Sequence, residues 1–420
     1  MKPRMQDRVT LPGSKSESNR ALMIAAYGGF PAQVDRLSEA HDTQLLQSLL
    51  NTIASSKGTG PVRIDCEDAG AAARFLLPLL CGRPGTWLMT GTERMCQRPM
   101  APVVDAMRQL GAEITYQRAE ITYQRAEGHL PLLVKGKPIA GGTVAVDAFQ
   151  SSQFVSALLM AAPMWKEGLR LHLTGREASA PYVAMTCAIM RHYGAEVQRH
   201  GPVLEVAPKL YQETRFEVAA DWSAASYWYE WVALHGGETL VLEGLRPDPL
   251  QGDAIVSRWY EQFGVHTEFG PCGATLTKDE VAVNPCDTPL QFDFSEVPDL
   301  FPAVFVTCVA LHRPAVFTGV KNLRLKESDR VRCLVTELKK IYTFINIIGE
   351  DEISIEKSSF LYDVDWYKKR ILFNTYSDHR IAMAVAPLKT FFSGLVFDHP
   401  EVVAKSYPNY WAELEKVTGM

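Results

Sequence analysis

Apolar positions along this chain follow two alternating periods. Val331, Leu334, Val335, Leu338 and Ile341 recur at helical spacing and predict a helix over 331–341, and the apolar stretch 152–162 has helical length. Short runs rich in β-branched and aliphatic residues, 143–146, 169–173 and 239–242, are bounded by turn residues and read as strands. Helical and strand stretches alternate through the chain, which places it in the α/β or α+β class.

One local pattern recurs. An amphipathic helical stretch ends at a small residue and runs directly into a strand: AMRQLGAEI at Gly111, AIMRHYGAEV at Gly194 and WYEQFGVHTE at Gly264, with ELKKIYTFI carrying Tyr342 in the same register. A glycine there suits the left-handed residue just past a helix, from which the chain can leave as a strand. The intervals of roughly 70 to 80 residues are too long for a solenoid and fit a supersecondary unit of a few strands and two helices used several times. The plain alternative is the helix–glycine–strand succession of any α/β protein.

Two segments break the pattern. ITYQRAE occupies 114–120 and is repeated letter for letter at 121–127. Seven is odd, so insertion into a strand would exchange its inward and outward faces, and one copy is expected to leave the sheet as a loop or longer hairpin. The stretch 341–373 holds a single glycine, Gly349, among many aromatic and charged residues, and its pattern assigns no elements.

Composition narrows the class. The 420 residues are 47% hydrophobic and 22% charged, which excludes a mainly disordered chain and leaves room for two or three domains. The longest apolar runs, near 301–311 and 156–164, are about half the roughly 18 to 20 residues of a membrane span, and the first ten residues lack an apolar leader core, so a cytoplasmic protein with no membrane partner is expected. Lys and Arg number 43 against 48 Asp and Glu, a formal charge of −5, which argues against nucleic acid as partner. The eight cysteines form no CxxC pair and no cluster at zinc spacing, so reduced thiols and no metal site are expected.

The chemistry-bearing residues gather where helices start. LPGSKSESNR precedes ALMIAA, and Ser16 or Ser18 is placed to cap the helix, with Lys15 and Arg20 beside its free N–H groups as an anion site; a capped helix with solvated charges is the plain alternative. In DAGAAARFLLPLL the small residues around Gly70 let a ligand approach the backbone, and Arg74 follows one turn later. Arg94 and Arg98 precede another helix; Cys96 lies between them with no flanking His and is expected to be inert. Ser151, Ser152 and Gln153 precede FVSALLMAA, three polar groups where a cap needs one, and Ser179 precedes a further helix. Asp299 stands directly before an apolar helix, where it could simply be a cap; Lys326, Glu327, Asp329 and Arg330 precede the 331–341 helix, where they could form a solvated face. Asp378, His379 and Arg380 repeat the theme, and Lys405 follows. If these helix starts face one cleft, a positive field surrounds a few acids, suited to polyanions and proton transfer.

At these residues the chain resembles the enolpyruvyl transferases, and within them those acting on shikimate-3-phosphate. Eight strings in the family's order carry the resemblance between Leu11 and Tyr410: PGSKSxSNR, DAGxAxR, QRP, SSQF, QGD, VPD, LRxKESDR and DHRxAM. Glu17, Ala71 and Phe75 depart from the family pattern. The resemblance implies an α/β (α+β) fold of inside-out barrel type: two similar domains, each of three βαβαββ units around buried helices. One domain is 15–220, the other 1–14 plus 221–420, with hinge crossings near 14 and 220. It implies transfer of the enolpyruvyl group of phosphoenolpyruvate to the 5-hydroxyl of shikimate-3-phosphate with release of phosphate, by a monomer without metal or organic cofactor. Carried over by motif, Lys15, Ser16, Arg20, Ser151, Ser152, Gln153, Ser179, Asp299, Asn322 and Lys326 are the shikimate-3-phosphate ligands. Lys15, Gly70, Arg98, Gln153, Arg330, Arg380 and Lys405 are the phosphoenolpyruvate ligands. The catalytic groups are Asp299, Glu327 and Lys15. The nearest alternatives are the branch acting on UDP-N-acetylglucosamine, whose cysteine-bearing Gly-rich loop before Arg-Pro is missing here, and a non-catalytic anion-binding relative.

Overall fold

A computed structural model describes residues 8–56, 60–117, 127–175, 177–236, 239–247, 250–278, 288–348, 351–360 and 370–419, with the backbone alone for 342–348 and 357–360. The chain forms two compact units. One comprises 1–14, 39–41 and 219–420, the other 15–38 and 42–218; they are called here the C-terminal and N-terminal units.

Among the described residues each unit holds two four-stranded sheets of one topology and a two-stranded parallel pair. In the N-terminal unit Val62–Asp65 lies parallel to Gly85–Thr90, which pairs antiparallel with Leu132–Gly136, itself antiparallel to Glu113–Tyr116. The second sheet repeats this order with Gly142–Asp147, Leu169–Thr174, Val203–Val206 and Val197–His200. The pair is Val34–Asp35 with Phe216–Glu217. In the C-terminal unit the sheets are Arg8–Thr10, Thr239–Glu243, Gly273–Lys278, Val265–Gly270, and Leu290–Asp293, Ala315–Thr318, Glu352–Phe360, Tyr342–Ile348, with the pair Ile371–Phe373 and Leu395–Phe397. In each four-stranded sheet a helix precedes the second strand in chain order, which lies parallel to the first, another helix leads to the third, and only the third and fourth form a hairpin, so the sheets are βαβαββ units.

The helix–glycine–strand recurrence falls at one place in this plan, the exit of the second helix into the third strand. Gly111, Gly194 and Gly264 take φ of 91°, 85° and 76°, a conformation that glycine adopts without a Cβ penalty.

Three helices form the centre of each unit: Lys15–Gly28, Gly70–Gly82 and Ser152–Ala161 in one, Trp222–Leu234, Phe301–Ala310 and His379–Val385 in the other, each touching the other two. Trp222–Leu234 and His379–Val385 are buried along their whole length, the placement expected of helices without a polar face. Phe294, Phe301, Phe305 and Phe317 pack around the start of Phe301–Ala310, Phe294 against Phe301 edge to face at 5.3 Å, an arrangement contributing about 0.5–1.5 kcal/mol per ring pair beyond burial.

Within the C-terminal unit, Gly13 bridges Ala220, Ser14 N–H donates to Ala219 (2.8 Å) and Asp221 N–H to Pro12 (3.0 Å), so the outgoing and returning chain run side by side. The first helix starts at Lys15, so Ser16 and Ser18 lie inside it and neither caps it; Ser18 Oγ accepts from Ser38 N–H instead (2.9 Å). The helix expected over 331–341 spans Arg330–Leu338: it starts one residue early at the Asp329 cap and stops early because the strand at Tyr342 needs a turn before it. The first copy of the heptapeptide contributes Ile114–Tyr116 to a strand; most of the second copy, with the expected extrusion, lies outside the described residues, as do 349–350 and 361–369 of the unassigned stretch.

Candidate active site

In the N-terminal unit, polar groups cluster at the starts of the three central helices. Lys15 opens the first and its Nζ donates to Asp42 (2.9 Å), itself at the start of helix His41–Ser55. One turn on, Arg20 is 3% exposed. Its Nε donates to Thr186 Oγ1 (2.7 Å), Nη1 to the Ser16 carbonyl (2.9 Å), and Nη2 to Ser156 Oγ and the Tyr182 carbonyl (3.3 Å each). Every acceptor is uncharged. The guanidinium also lies over Phe75 (5.4 Å) and Tyr182 (5.9 Å), and burial pushes its pKa down from 12.5 to about 10.

Gly70 begins the second central helix. What approaches it is protein: a Cβ there would lie 2.4 Å from Arg74 Nη1 and 2.8 Å from Arg98 Nη2. Arg74 Nη1 donates to Gln153 Oε1 (2.8 Å) and Nη2 to the Pro99 carbonyl (2.9 Å); Arg98 Nη1 donates to the Asp68 carbonyl (3.2 Å). Arg74, noted in the sequence only for its spacing from Gly70, thus joins the starts of the second and third helices. Ser151 caps the third helix by accepting from Gln153 N–H (3.2 Å), Ser152 opens it, and Ser179 precedes helix Ala180–His192 in a left-handed conformation (φ 57°) without a side-chain cap.

In the C-terminal unit the charges form a closed cluster. Arg330, at the start of its helix and 1% exposed, donates Nη1 to Asp299 Oδ1 (2.9 Å), Nη2 to Glu327 Oε2 (2.7 Å) and Nε to Asp378 Oδ2 (2.9 Å). Arg380 Nη2 donates to Asp299 Oδ2 (2.9 Å), and its Nη1 to Tyr227 Oη (3.4 Å). Asp299 sits in the short 3₁₀ turn Pro298–Leu300 before its helix and is not the cap; its carboxylate bridges two arginines. Arg330 is equally far from a solvated face. Asp378 caps His379–Val385 through Arg380 N–H (3.0 Å) and accepts from Ser328 Oγ (3.0 Å). Asn322 lies in the 3₁₀ turn Lys321–Leu325, with Lys326 directly after it, and Lys405 ends the 3₁₀ turn Pro400–Lys405, 7% exposed.

Burial raises the Asp299 pKa, but Arg380, Lys326 and Arg330 outweigh it and hold the carboxyl well below the ordinary carboxylate range. Burial lowers the Arg330 pKa, and its three carboxylates more than offset that, so it stays protonated. Sequence reasoning missed Asp253 as a member of this region. It accepts from Ser223 Oγ at the start of Trp222–Leu234, and burial, with the charge of Asp299, pushes its pKa up to about 7. The QGD string held the signal: Gln251 Oε1 accepts from Trp222 N–H (2.8 Å), tying that turn to the helix start. Thr186, Ser156 and Tyr227 carried no local signal. The Cys96 thiol is half-buried, donates to the Gly91 carbonyl (3.6 Å) and is raised by burial, away from nucleophilic thiolate. The seven described cysteines are free, no group of three or more metal-ligating side chains occurs among the described residues, and no described helix is long and apolar enough to cross a membrane.

The repeated plan is the two-domain α/β fold that the resemblance to enolpyruvyl transferases implies, with one difference. Among the described residues each unit has two βαβαββ sheets and a two-stranded pair where three such units were expected, because no hairpin joins the pair and, in the N-terminal unit, its strands come from distant parts of the chain. Residues 2–414 match the family described as EPSP synthase (3-phosphoshikimate 1-carboxyvinyltransferase), and the chain belongs to that family. It is 38% identical over 415 residues to the 3-phosphoshikimate 1-carboxyvinyltransferase of Bacteroides fragilis, covering 97% of this chain and 94% of that one. It is 31% identical to that of a Sulfurovum species, covering 99% and 97%. A solved EPSP synthase of Acinetobacter baumannii shares the fold at a TM-score of 0.70 and 23% identity, over 98% of this chain and 95% of that one.

Proposed function

We propose that this chain transfers the enolpyruvyl group of phosphoenolpyruvate to the 5-hydroxyl of shikimate-3-phosphate and releases phosphate, acting as a cytoplasmic monomer on two small molecules, without metal or organic cofactor. The observation that carries this reading is the attachment of two carboxylates, Asp299 and Glu327, to one buried guanidinium, in a chain of the EPSP synthase family.

Phosphoenolpyruvate is a weak electrophile until C3 gains a proton. Glu327 supplies it, C2 takes up positive character, and the 5-hydroxyl adds there while its proton passes to Asp299 or Lys15. The product is a tetrahedral ketal bearing phosphate. Loss of a C3 proton then re-forms the double bond, the C2–O bond to phosphate breaks, and phosphate departs with both electrons. Arg98, Arg330, Arg380 and Lys405 hold the carboxylate and phosphate of phosphoenolpyruvate, with Lys15, Gly70 and Gln153 at the same ligand. Lys15, Ser16, Arg20, Ser151, Ser152, Gln153, Ser179, Asn322 and Lys326 hold shikimate-3-phosphate, and Asp299 meets its hydroxyl.

Arg380 and Arg330 depress the Asp299 pKa, which makes the carboxylate a poor base as it stands. A substrate anion drawing these arginines away would raise its basicity at the moment it is needed. The functional domains proposed are 15–220 and 1–14 plus 221–420, with hinges near 14 and 220; the compact units differ from them in placing 39–41 and 219–220 with the C-terminal half. The proposed ligands are divided between these two domains.

The test is phosphate release from phosphoenolpyruvate with shikimate-3-phosphate or the UDP-sugar as acceptor. Release only with shikimate-3-phosphate is expected; dependence on the UDP-sugar, or no release with either, overturns the reading.

A further inference from the structure

Tyr376 and Ser377 are consecutive residues in the left-handed conformation, φ 54° and 55°, and neither is glycine. Two such side-chain-bearing residues in a row persist only where surrounding bonds impose them. They immediately precede Asp378 and Arg380. The bonds that impose them converge on Glu337, a fully buried carboxylate near the end of helix Arg330–Leu338. Glu337 accepts from Asn374 N–H (2.9 Å), Asn374 Nδ2 (3.2 Å), Tyr376 Oη (2.7 Å) and Lys340 Nζ. Three of the four donors belong to the turn. On its other side Thr375 N–H donates to Asp398 (2.8 Å), and Asp378 N–H closes the turn on the Thr375 carbonyl (2.9 Å).

We propose that Glu337 is a positioning residue that sets the turn 374–378, and through it Asp378 and Arg380, against Arg330. One helix grips the turn at two points about two helical turns apart: Arg330 holds Asp378, and Glu337 holds Asn374 and Tyr376. One point would let the turn pivot; two set its angle as well as its place. Loss of the second grip lets the left-handed pair relax, and the cap that starts the Arg380 helix moves with it.

The proposal rests on the assignment of Arg330 and Arg380 to phosphoenolpyruvate. Its test compares the full-length wild type with Glu337→Gln and Tyr376→Phe in steady-state phosphate release, varying each substrate. Glu337→Gln is expected to raise the KM for phosphoenolpyruvate about tenfold and Tyr376→Phe about threefold, with the KM for shikimate-3-phosphate within about twofold. A simple loss of folded protein lowers the apparent kcat and leaves both KM values in place, so an unchanged KM for phosphoenolpyruvate overturns the proposal. If Glu337→Gln fails to fold, Tyr376→Phe, which removes one donor, decides. Hydrogen exchange on the unliganded proteins separates this from the functional reading. Amides 378–382 should exchange about tenfold faster in the variants while those of 304–309 hold their rates. Uniform exchange overturns the positioning role even if the wild type itself releases no phosphate, the result that overturns the functional reading.

Discussion

Arg20 and Arg330 are both almost fully buried, and their surroundings are opposite. Arg20 spends its bonds on a threonine, a serine and two carbonyls, and burial lowers its pKa. Arg330 spends every bond on a carboxylate and its pKa rises. A buried cation with neutral acceptors is incompletely compensated and gains most from an incoming anion; a cation already shared by three carboxylates must exchange partners to bind one. If the proposed function holds, the first unit offers a receptor organised before its ligand, the second an ion-paired cluster whose acids become available when a substrate anion takes up the arginines. On the proposed function, the contrast gives most of the acceptor's positioning to the N-terminal unit and both proton-transferring carboxylates to the C-terminal one.

The sharpest way to break this contrast is to neutralise the acids. Glu327→Gln and Asp299→Asn should each lower kcat by roughly 100-fold or more with little change in either KM; near-normal turnover in either variant removes that residue from proton transfer. Next come the cations. Arg380→Ala should raise the KM for phosphoenolpyruvate by roughly 30-fold, and Arg20→Ala that for shikimate-3-phosphate by about tenfold, each leaving the other substrate's KM largely unchanged. Titrating both substrates against both variants would expose a crossed pattern, which would contradict the division of labour. A smaller effect is expected of Gly70→Ala, whose Cβ must push Arg74 and Arg98 aside. About a threefold rise in the KM for phosphoenolpyruvate should result, and an unchanged value would show that the Arg98 position is not critical.

The last effect is on stability rather than turnover, and it depends on pH. Asp253 is held at about 7 against an ordinary 3.8, so between those values the folded protein keeps a proton that the unfolded chain has lost. Its contribution is full below about pH 4 and fades as pH rises to about 7, by on the order of 1 kcal/mol per pH unit. Asp253→Asn removes that slope, and its melting temperature relative to wild type should climb from pH 4 to pH 7; a constant difference would mean Asp253 is already ionised when folded. Asp299 has the opposite sign: its contribution is present above its ordinary value and is lost only in acid.

How much of this was legible depends on the range of the interaction concerned. The strand at 143–146, the helix at 152–162 and the left-handed glycines at 111, 194 and 264 follow from residues a few positions apart, and the structure has them within a residue or so. The sequence also brought most of the ionic groups near a helix start, because motif and apolar run are adjacent in the chain, while Lys405 ends a 3₁₀ turn instead. It misread the serines at 16 and 18, since what starts that helix is the chain's departure after Ser14, whose N–H bonds the Ala219 carbonyl more than two hundred residues away. Gly70, read in the sequence as room for a ligand, has Arg74 and Arg98 beside it, which the sequence did not show.

Period, capping and glycine conformation were thus decided by the sequence, because each is a property of neighbouring backbone units. Which carboxylate meets which arginine was decided only by the tertiary structure: Asp299 and Asp378 reach Arg330 from 31 and 48 residues away. The energy of a buried ion depends on every charge and dipole around it once water is gone, and only the packed helices determine which those are.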